Sequence, residues 1–235
     1  MTITGAIFDC DGTIVDSMSM WWSVFPELLA AHGRAYDKQV AAALKRCEAM
    51  SLPDEIRSLK EELSIAASEE ELFCDLTHRI RKAYSTTIQP WPRSKAFLQQ
   101  LADANIPMII ATSTSAAEVR LCLERLDMMQ YFIDIISAEE KDFNKQEPDI
   151  YLYALEKLET NRASTWVFED APFGLMTAAA SGFPTVCVHN DHDARNLDAM
   201  LPYSTLLTHI FEDLSLATIQ NLPDPTAAPA EKPIE

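Results

Sequence analysis

The chain has 235 residues, 48% of them hydrophobic, enough for the core of one large domain or two small ones. Its formal net charge of −17 argues against a nucleic-acid or anionic-membrane partner, and an anionic ligand would have to be met by a cation and local basic groups. The five cysteines, at 10, 47, 74, 122 and 187, are odd in number and spread singly, which argues against a disulfide framework or a thiolate metal site; with no basic region leading into a long apolar core after Met1 and no apolar run of membrane-spanning length, the expected compartment is the cytoplasm.

An apolar run from Ile3 to Phe8 predicts a buried strand ending at Asp9, where Asp11-Gly12 signals a turn. Two carboxylates two residues apart, Asp9 and Asp11, suit a hard cation and a phosphoryl group. One can attack phosphorus while the other manages a proton, with a divalent ion screening their repulsion. Gly12 lets the backbone turn closely and leaves amides to face phosphate oxygens. The same pattern occurs in surface turns and calcium loops, but Ile14, Val15 and Met18 do not continue a calcium-ligand series. Cys10 is expected as a small buried filler.

After Ser17 the period becomes helical. Met20, Trp21, Val24, Phe25, Leu28 and Leu29 predict a helix stopped at Gly33, and Pro26 is expected to kink or divide it. Asp37 to Ala49 predicts a second helix. Ser51 and Ser68, each with an acid three residues on, cap a third and a fourth. The stripes Ile56, Leu59, Leu63 and Leu72, Phe73, Leu76, Ile80, Tyr84 read as helix-packing core. Lys45 and Arg46 are expected to be solvated, with contact to a substrate anion as the other option. Residues 18–86 thus form an all-helical insert, and 88–92, rich in proline, is the return linker.

From there strands and helices alternate. Strands are expected at 107–111, 132–136, 165–168, 184–188 and 206–211, and helices at 94–104, 116–126, 148–158 and 173–181. This predicts an α/β fold, a Rossmann-like parallel sheet with helices on both faces, with sites at the carboxyl ends of the strands. Residues 1–17 and 87–215 would be the core, 18–86 a small all-helical cap, and the Pro- and Ala-rich 221–235 a disordered tail.

Three further strand ends carry chemistry. Thr112-Ser113-Thr114-Ser115 offers a hydroxyl and amides before a helix, a cradle for phosphate oxygens, unless it is only a helix cap at Ser115. Glu169-Asp170 places two adjacent acids at a strand end, which a divalent metal would explain. Lys145, three residues before Pro148, is either a solvated charge or the neutralising partner of a nucleophilic carboxylate.

In order, acid pair, hydroxyl, lysine and acid pair, the chain resembles the haloacid dehalogenase superfamily of phosphotransferases. Residues 8–17 match its first motif, 109–113 the second, 145–151 the third with Asn144 where a glycine is usual, and 167–174 the fourth. The insert resembles the cap of the subgroup that includes β-phosphoglucomutase and many sugar-phosphate phosphatases. The resemblance implies Asp9 as nucleophile, Asp11 as proton donor and then base, Thr112 and Ser113 with Gly12 around the phosphoryl oxygens, and Lys145 balancing charge. It implies Mg²⁺ held by Asp9, the Asp11 backbone carbonyl, Glu169 and Asp170. The expected protein is a Mg²⁺-dependent phosphatase, monomeric, acting on a small phosphorylated metabolite. Asp11 disfavours dehalogenase and phosphonatase chemistry. Met18 to Trp22, where a mutase-like member would carry a histidine, disfavour the phosphomutase alternative, and the complete residue set disfavours a non-catalytic binding protein.

Overall fold

The computed structural model describes residues 1–47, 50–190 and 197–223. Six parallel strands make the central sheet: β1 (Gly5–Phe8), β4 (Met108–Thr112), β5 (Phe132–Ser137), β6 (Thr165–Glu169), β7 (Thr185–His189) and β8 (Leu206–His209), in the order β5-β4-β1-β6-β7-β8. Two-residue strands β2 (Val15–Asp16) and β3 (Gln89–Pro90) pair antiparallel outside it.

Successive side chains of a strand point to opposite faces, and each face of this sheet has its own core. Phe8, Ile110, Trp166, Phe168 and Val186 pack with Phe97, Leu98, Val119 and Leu123 of helices α5 (Ser94–Asp103) and α6 (Ala116–Arg125). Ile7, Ile109, Ala111 and Val167 pack with Ile150, Tyr151 and Ala154 of α8 (Asp149–Leu158) and Ala178 of α9 (Pro172–Ala180). A sheet covered on both faces needs strands that are apolar throughout, which is why they read as continuous apolar runs. The α/β Rossmann-like core is as expected.

The all-helical cap consists of α1 (Met18–Ala31), α2 (Lys38–Cys47), α3 (Leu52–Leu63) and α4 (Glu69–Thr86). Its inward stripes, among them Phe25, Leu28, Val40, Ile56, Leu59, Leu76 and Ile80, join the core on one face of the sheet. Helix α4 starts at a reciprocal capping box: the Glu71 amide donates to Ser68 Oγ at 3.1 Å, and the Ser68 amide to Glu71 Oε2 at 2.8 Å. Ser51 accepts from the Asp54 amide at 3.4 Å in the same manner. The two chain crossings between sheet and cap lie side by side as β2 and β3, fastened by Trp91, whose amide donates to the Ile14 carbonyl and whose indole donates to the Gly12 carbonyl, both at 2.9 Å.

Several expectations shift. Pro26 does not divide α1, which runs unbroken through it. The carbonyl that loses its intrahelical donor is that of Trp22, an exposed residue of the helix. Strand β1 begins at Gly5 rather than Ile3, while β4 and β6 reach one residue further, so that Thr112 and Glu169 are themselves the last strand residues. Short helices α7 (Ala138–Lys141), α10 (Leu197–Met200) and α11 (Leu216–Gln220) were not anticipated. Residues 48–49 of the expected second helix and 224–235 of the expected tail lie outside the described residues. Leu222, inside that tail, accepts a hydrogen bond from the Met1 amino group. No helix among the described residues is long and apolar enough to cross a membrane.

The Phe168 ring is fully buried, stacked on Phe8 with centroids 4.2 Å apart and tilted against Phe97 at 5.5 Å. Phe168→Ala is expected to cost about 3–5 kcal/mol, read as a lowered urea midpoint with an unchanged slope.

Candidate active site

Strand β1 sits between β4 and β6, with Phe8 paired to Ile110 on one side and to Phe168 on the other. The residues at and after these positions therefore converge at one edge of the sheet: Asp9 after β1, Thr112 ending β4, Glu169 ending β6 and Asp170 just after it. The Asp9 amide donates to the Phe168 carbonyl at 2.9 Å and fixes the first of them.

Lys145 reaches this edge from the loop before α8. Its ammonium, 3% exposed, donates to Asp9 Oδ1 at 2.5 Å and to Glu169 Oε2 at 2.9 Å. Asp9, Glu169 and Asp170 are all buried, and each offers one carboxylate oxygen within 4.8 Å of the others. Burial pushes Glu169 up to about 8, and Lys145 only partly offsets it. Burial likewise raises Asp9, against the pull of Lys145. The three buried carboxylates form an all-oxygen donor set, which fits a hard divalent cation.

Surrounding groups hold these carboxylates in place. Thr13 Oγ1 donates to Asp170 Oδ1 at 3.0 Å, while Tyr151 OH and the Ala171 amide donate to the two oxygens of Glu169, each at 3.3 Å. Packing is close enough to require two glycines. A Cβ on Gly174 would lie 2.7 Å from Glu169 Cδ, and one on Gly12, at φ +81°, would lie 2.2 Å from Asp170 Oδ2. The Gly12 amide donates to the Val15 carbonyl at 3.0 Å. It is therefore not free for a phosphate oxygen as expected, and what this glycine supplies is the close approach.

Asp11 lies outside the three-carboxylate group. Its Oδ1 accepts from Ser17 Oγ at 2.6 Å and Tyr84 OH at 2.5 Å, and its Oδ2 from Thr114 Oγ1 at 2.7 Å. Burial and then the charge of Asp9 raise its pKa, while the three hydroxyl donors pull it down. Tyr84 OH in turn accepts from the Trp21 indole at 3.1 Å, which directs the phenolic proton to Asp11. Thr112 is buried, and its Oγ1 accepts the Thr114 amide at 3.1 Å; Ser113 is exposed. Ser115 does not cap α6. Glu140 does, accepting the Ala116 amide at 2.9 Å. Arg46 pairs with Glu62.

Sequence reasoning brought Asp9, Asp11, Thr112, Lys145, Glu169 and Asp170 to this edge but missed the groups that hold them. Thr13 and Ser17 were within the first motif without a role, Thr114 was only a candidate cradle residue, and Tyr84 and Tyr151 read as helix core.

Residues 6–188 match the family model described as haloacid dehalogenase-like hydrolase, and the chain belongs to that family. It is 29% identical to hexitol phosphatase A of Escherichia coli over 94% of this chain and 97% of that protein. It is 26% identical to a phosphorylated carbohydrates phosphatase of Thermotoga maritima over 81% of this chain and 88% of that one. The fold matches a β-phosphoglucomutase from Clostridium difficile with a TM-score of 0.72 at 19% identity, covering 93% and 96% of the two chains.

Gly12→Ala is expected to push Asp170 off its position and weaken divalent-cation binding at least about tenfold, the range seen when groups supporting a metal ligand are altered. Isothermal titration with Mg²⁺ checks this, with a melting curve to show that the sheet remains folded.

Proposed function

We propose that the protein is a Mg²⁺-dependent phosphatase that hydrolyses a small phosphomonoester, a sugar or polyol phosphate, through an aspartyl-phosphate on Asp9. The observation that carries this reading is the division of environment between two neighbouring carboxylates. Asp9 lies against an ammonium among buried acids, whereas Asp11 is held apart by three hydroxyl donors. Two carboxylates in different settings suit two different tasks. The named relatives, phosphatases of phosphorylated carbohydrates and hexitols, support the substrate class.

In this mechanism Asp9 Oδ attacks phosphorus as the ester oxygen departs, and Asp11 gives that oxygen its proton. The phosphoryl group is left on Asp9. Asp11, now a carboxylate, takes a proton from water as the water oxygen attacks the same phosphorus, and inorganic phosphate leaves. Lys145 neutralises charge between Asp9 and the phosphoryl group, and Thr112 donates its hydroxyl proton to a phosphoryl oxygen. The carboxylates of Asp9, Asp170 and Glu169, with the Asp11 backbone carbonyl, would hold Mg²⁺. When bound, the cation supplies charge neutralisation at the transferring group. We assign residues 1–17 and 87–215 to the catalytic core and 18–86 to a cap that covers the substrate and excludes water. The protein acts as a cytoplasmic monomer without nucleic-acid or membrane partners.

Phosphate release from a panel of phosphomonoesters, with and without Mg²⁺, tests the reading. Wild type is expected to release phosphate only with the metal, and Asp9→Asn to lose at least about 10⁴-fold. Release that persists in Asp9→Asn would remove the nucleophile assignment. Conversion of hexose 1-phosphates without release, given a bisphosphate primer, would indicate a mutase. Tyr84→Phe keeps the ring and removes the donor to Asp11. It is expected to lower kcat about tenfold with little change in KM, measured by steady-state kinetics on the best substrate of the panel.

A further inference from the structure

The donors to Asp11 are three neutral hydroxyls, unevenly divided between its two oxygens. Ser17 Oγ at 2.6 Å and Tyr84 OH at 2.5 Å both donate to Oδ1, whereas Thr114 Oγ1 alone donates to Oδ2, at 2.7 Å. A carboxylate has about four lone-pair sites, two on each oxygen. Among the described residues, both sites on Oδ1 are therefore filled and one of the two on Oδ2 is open.

At that open site a proton can be gained or lost without breaking any of the three bonds. With the proton on Oδ2, the acid still accepts Ser17 and Tyr84 on Oδ1 and Thr114 on Oδ2. Two donors fix the place of Oδ1. Only the Thr114 bond fixes the other end of the carboxyl group, and with it the direction of the open site. Thr114 is itself held on both sides. Its amide donates to Thr112 Oγ1 at 3.1 Å, and two residues on the Ala116 amide donates to Glu140 Oε1 at 2.9 Å. One residue thus touches both the hydroxyl assigned to the phosphoryl oxygens and the carboxyl assigned to proton transfer. Because Thr112 Oγ1 accepts the Thr114 amide, its own proton is left to point elsewhere.

We propose that the proton exchanged by Asp11 is carried on Oδ2, and that Thr114 is the positioning residue that aims it. The inference rests on the phosphatase reading above and adds to it the atom that carries the proton and the hydroxyl that directs that atom. In the first step the Oδ2–H bond breaks as the ester oxygen leaves phosphorus with that proton. In the second, Oδ2 takes a proton from the water that attacks the aspartyl-phosphate. The three donors keep their partners throughout, so the carboxyl group has nothing to reorganise at the moment of transfer. Without the Thr114 hydroxyl the group can turn about Oδ1, and the proton leaves its line to the ester oxygen. Misplacement of a reacting group by about 1 Å is enough to cost rate on the order of a hundredfold.

Two esters separate this role from a general loosening of the site. A polyol alkoxide needs the proton in order to leave, whereas p-nitrophenolate leaves as a stable anion without it. Thr114→Val keeps the shape of the side chain and the backbone amide on Thr112 but removes the donor to Asp11; Thr114→Ala removes it without the added methyl, and Thr114→Ser keeps it. Steady-state kinetics with Mg²⁺ on a hexitol monophosphate and on p-nitrophenyl phosphate, with a melting curve for each variant, reads the effect. The ratio of kcat/KM for the hexitol ester over the nitrophenyl ester is expected to fall at least about tenfold in Thr114→Val and Thr114→Ala, through kcat on the hexitol ester and with KM within about twofold. Thr114→Ser is expected to stay within about threefold of wild type. Equal losses on the two esters in a folded variant, or no loss on either, would overturn the inference while leaving the phosphatase reading intact. No release by wild type from either ester would overturn both.

Discussion

A single buried ammonium sets the terms for the catalytic edge. Lys145 has almost no contact with solvent and is held between Asp9 and Glu169, from β1 and β6. Burying a charge is costly unless it is paired and hydrogen-bonded, so the lysine and the carboxylates require one another. The requirement spreads outward. Glu169 needs Tyr151 and the Ala171 amide, Asp170 needs Thr13, and both need glycines that leave no Cβ in their space. A polar network in a low-dielectric interior is stable only when it is well satisfied, and this one draws on the ends of β1 and β6, on α8 and the start of α9, and on the loops that carry Thr13 and Lys145.

Asp11 ties that network to the cap. Its donors come from three regions: Ser17 at the first chain crossing, Tyr84 near the end of α4, and Thr114 in the loop after β4. Helix α4 is itself fastened to the core helix α6. Arg81 pairs with Glu118 at 2.8 Å, and Arg125 donates to the Tyr84 carbonyl at 3.1 Å. A shift of α4 against α6 would therefore change the hydrogen bonding of Asp11, so the position of the cap and the setting of this carboxylate share residues.

Local pattern accounts for much of this architecture. Continuous apolar runs marked the strands because the sheet is covered on both faces. Ser68 with Glu71 marked a helix start because both halves of a capping box lie within four residues. Where a rule depends on surroundings, local pattern did not settle the outcome. Of the two effects expected at Pro26, division of α1 did not occur, and the cap of α6 comes from Glu140, 24 residues away, rather than from the adjacent Ser115.

The order of chemistry-bearing residues, an acid pair, a hydroxyl, a lysine and a second acid pair, each after a strand, was determined by sequence alone. It was enough to place Asp9, Asp11, Thr112, Lys145, Glu169 and Asp170 at one sheet edge, because parallel strands bring their carboxyl ends together. Only the tertiary structure decided what holds them. Thr13 meets Asp170 across 157 positions, Thr114 meets Asp11 across 103, and Tyr84 meets it across 73. Periodicity reads neighbours a few residues apart. A hydroxyl placed by a distant helix leaves no local trace, and Tyr84, on an apolar stripe, is indistinguishable in sequence from a core tyrosine until its partner is seen.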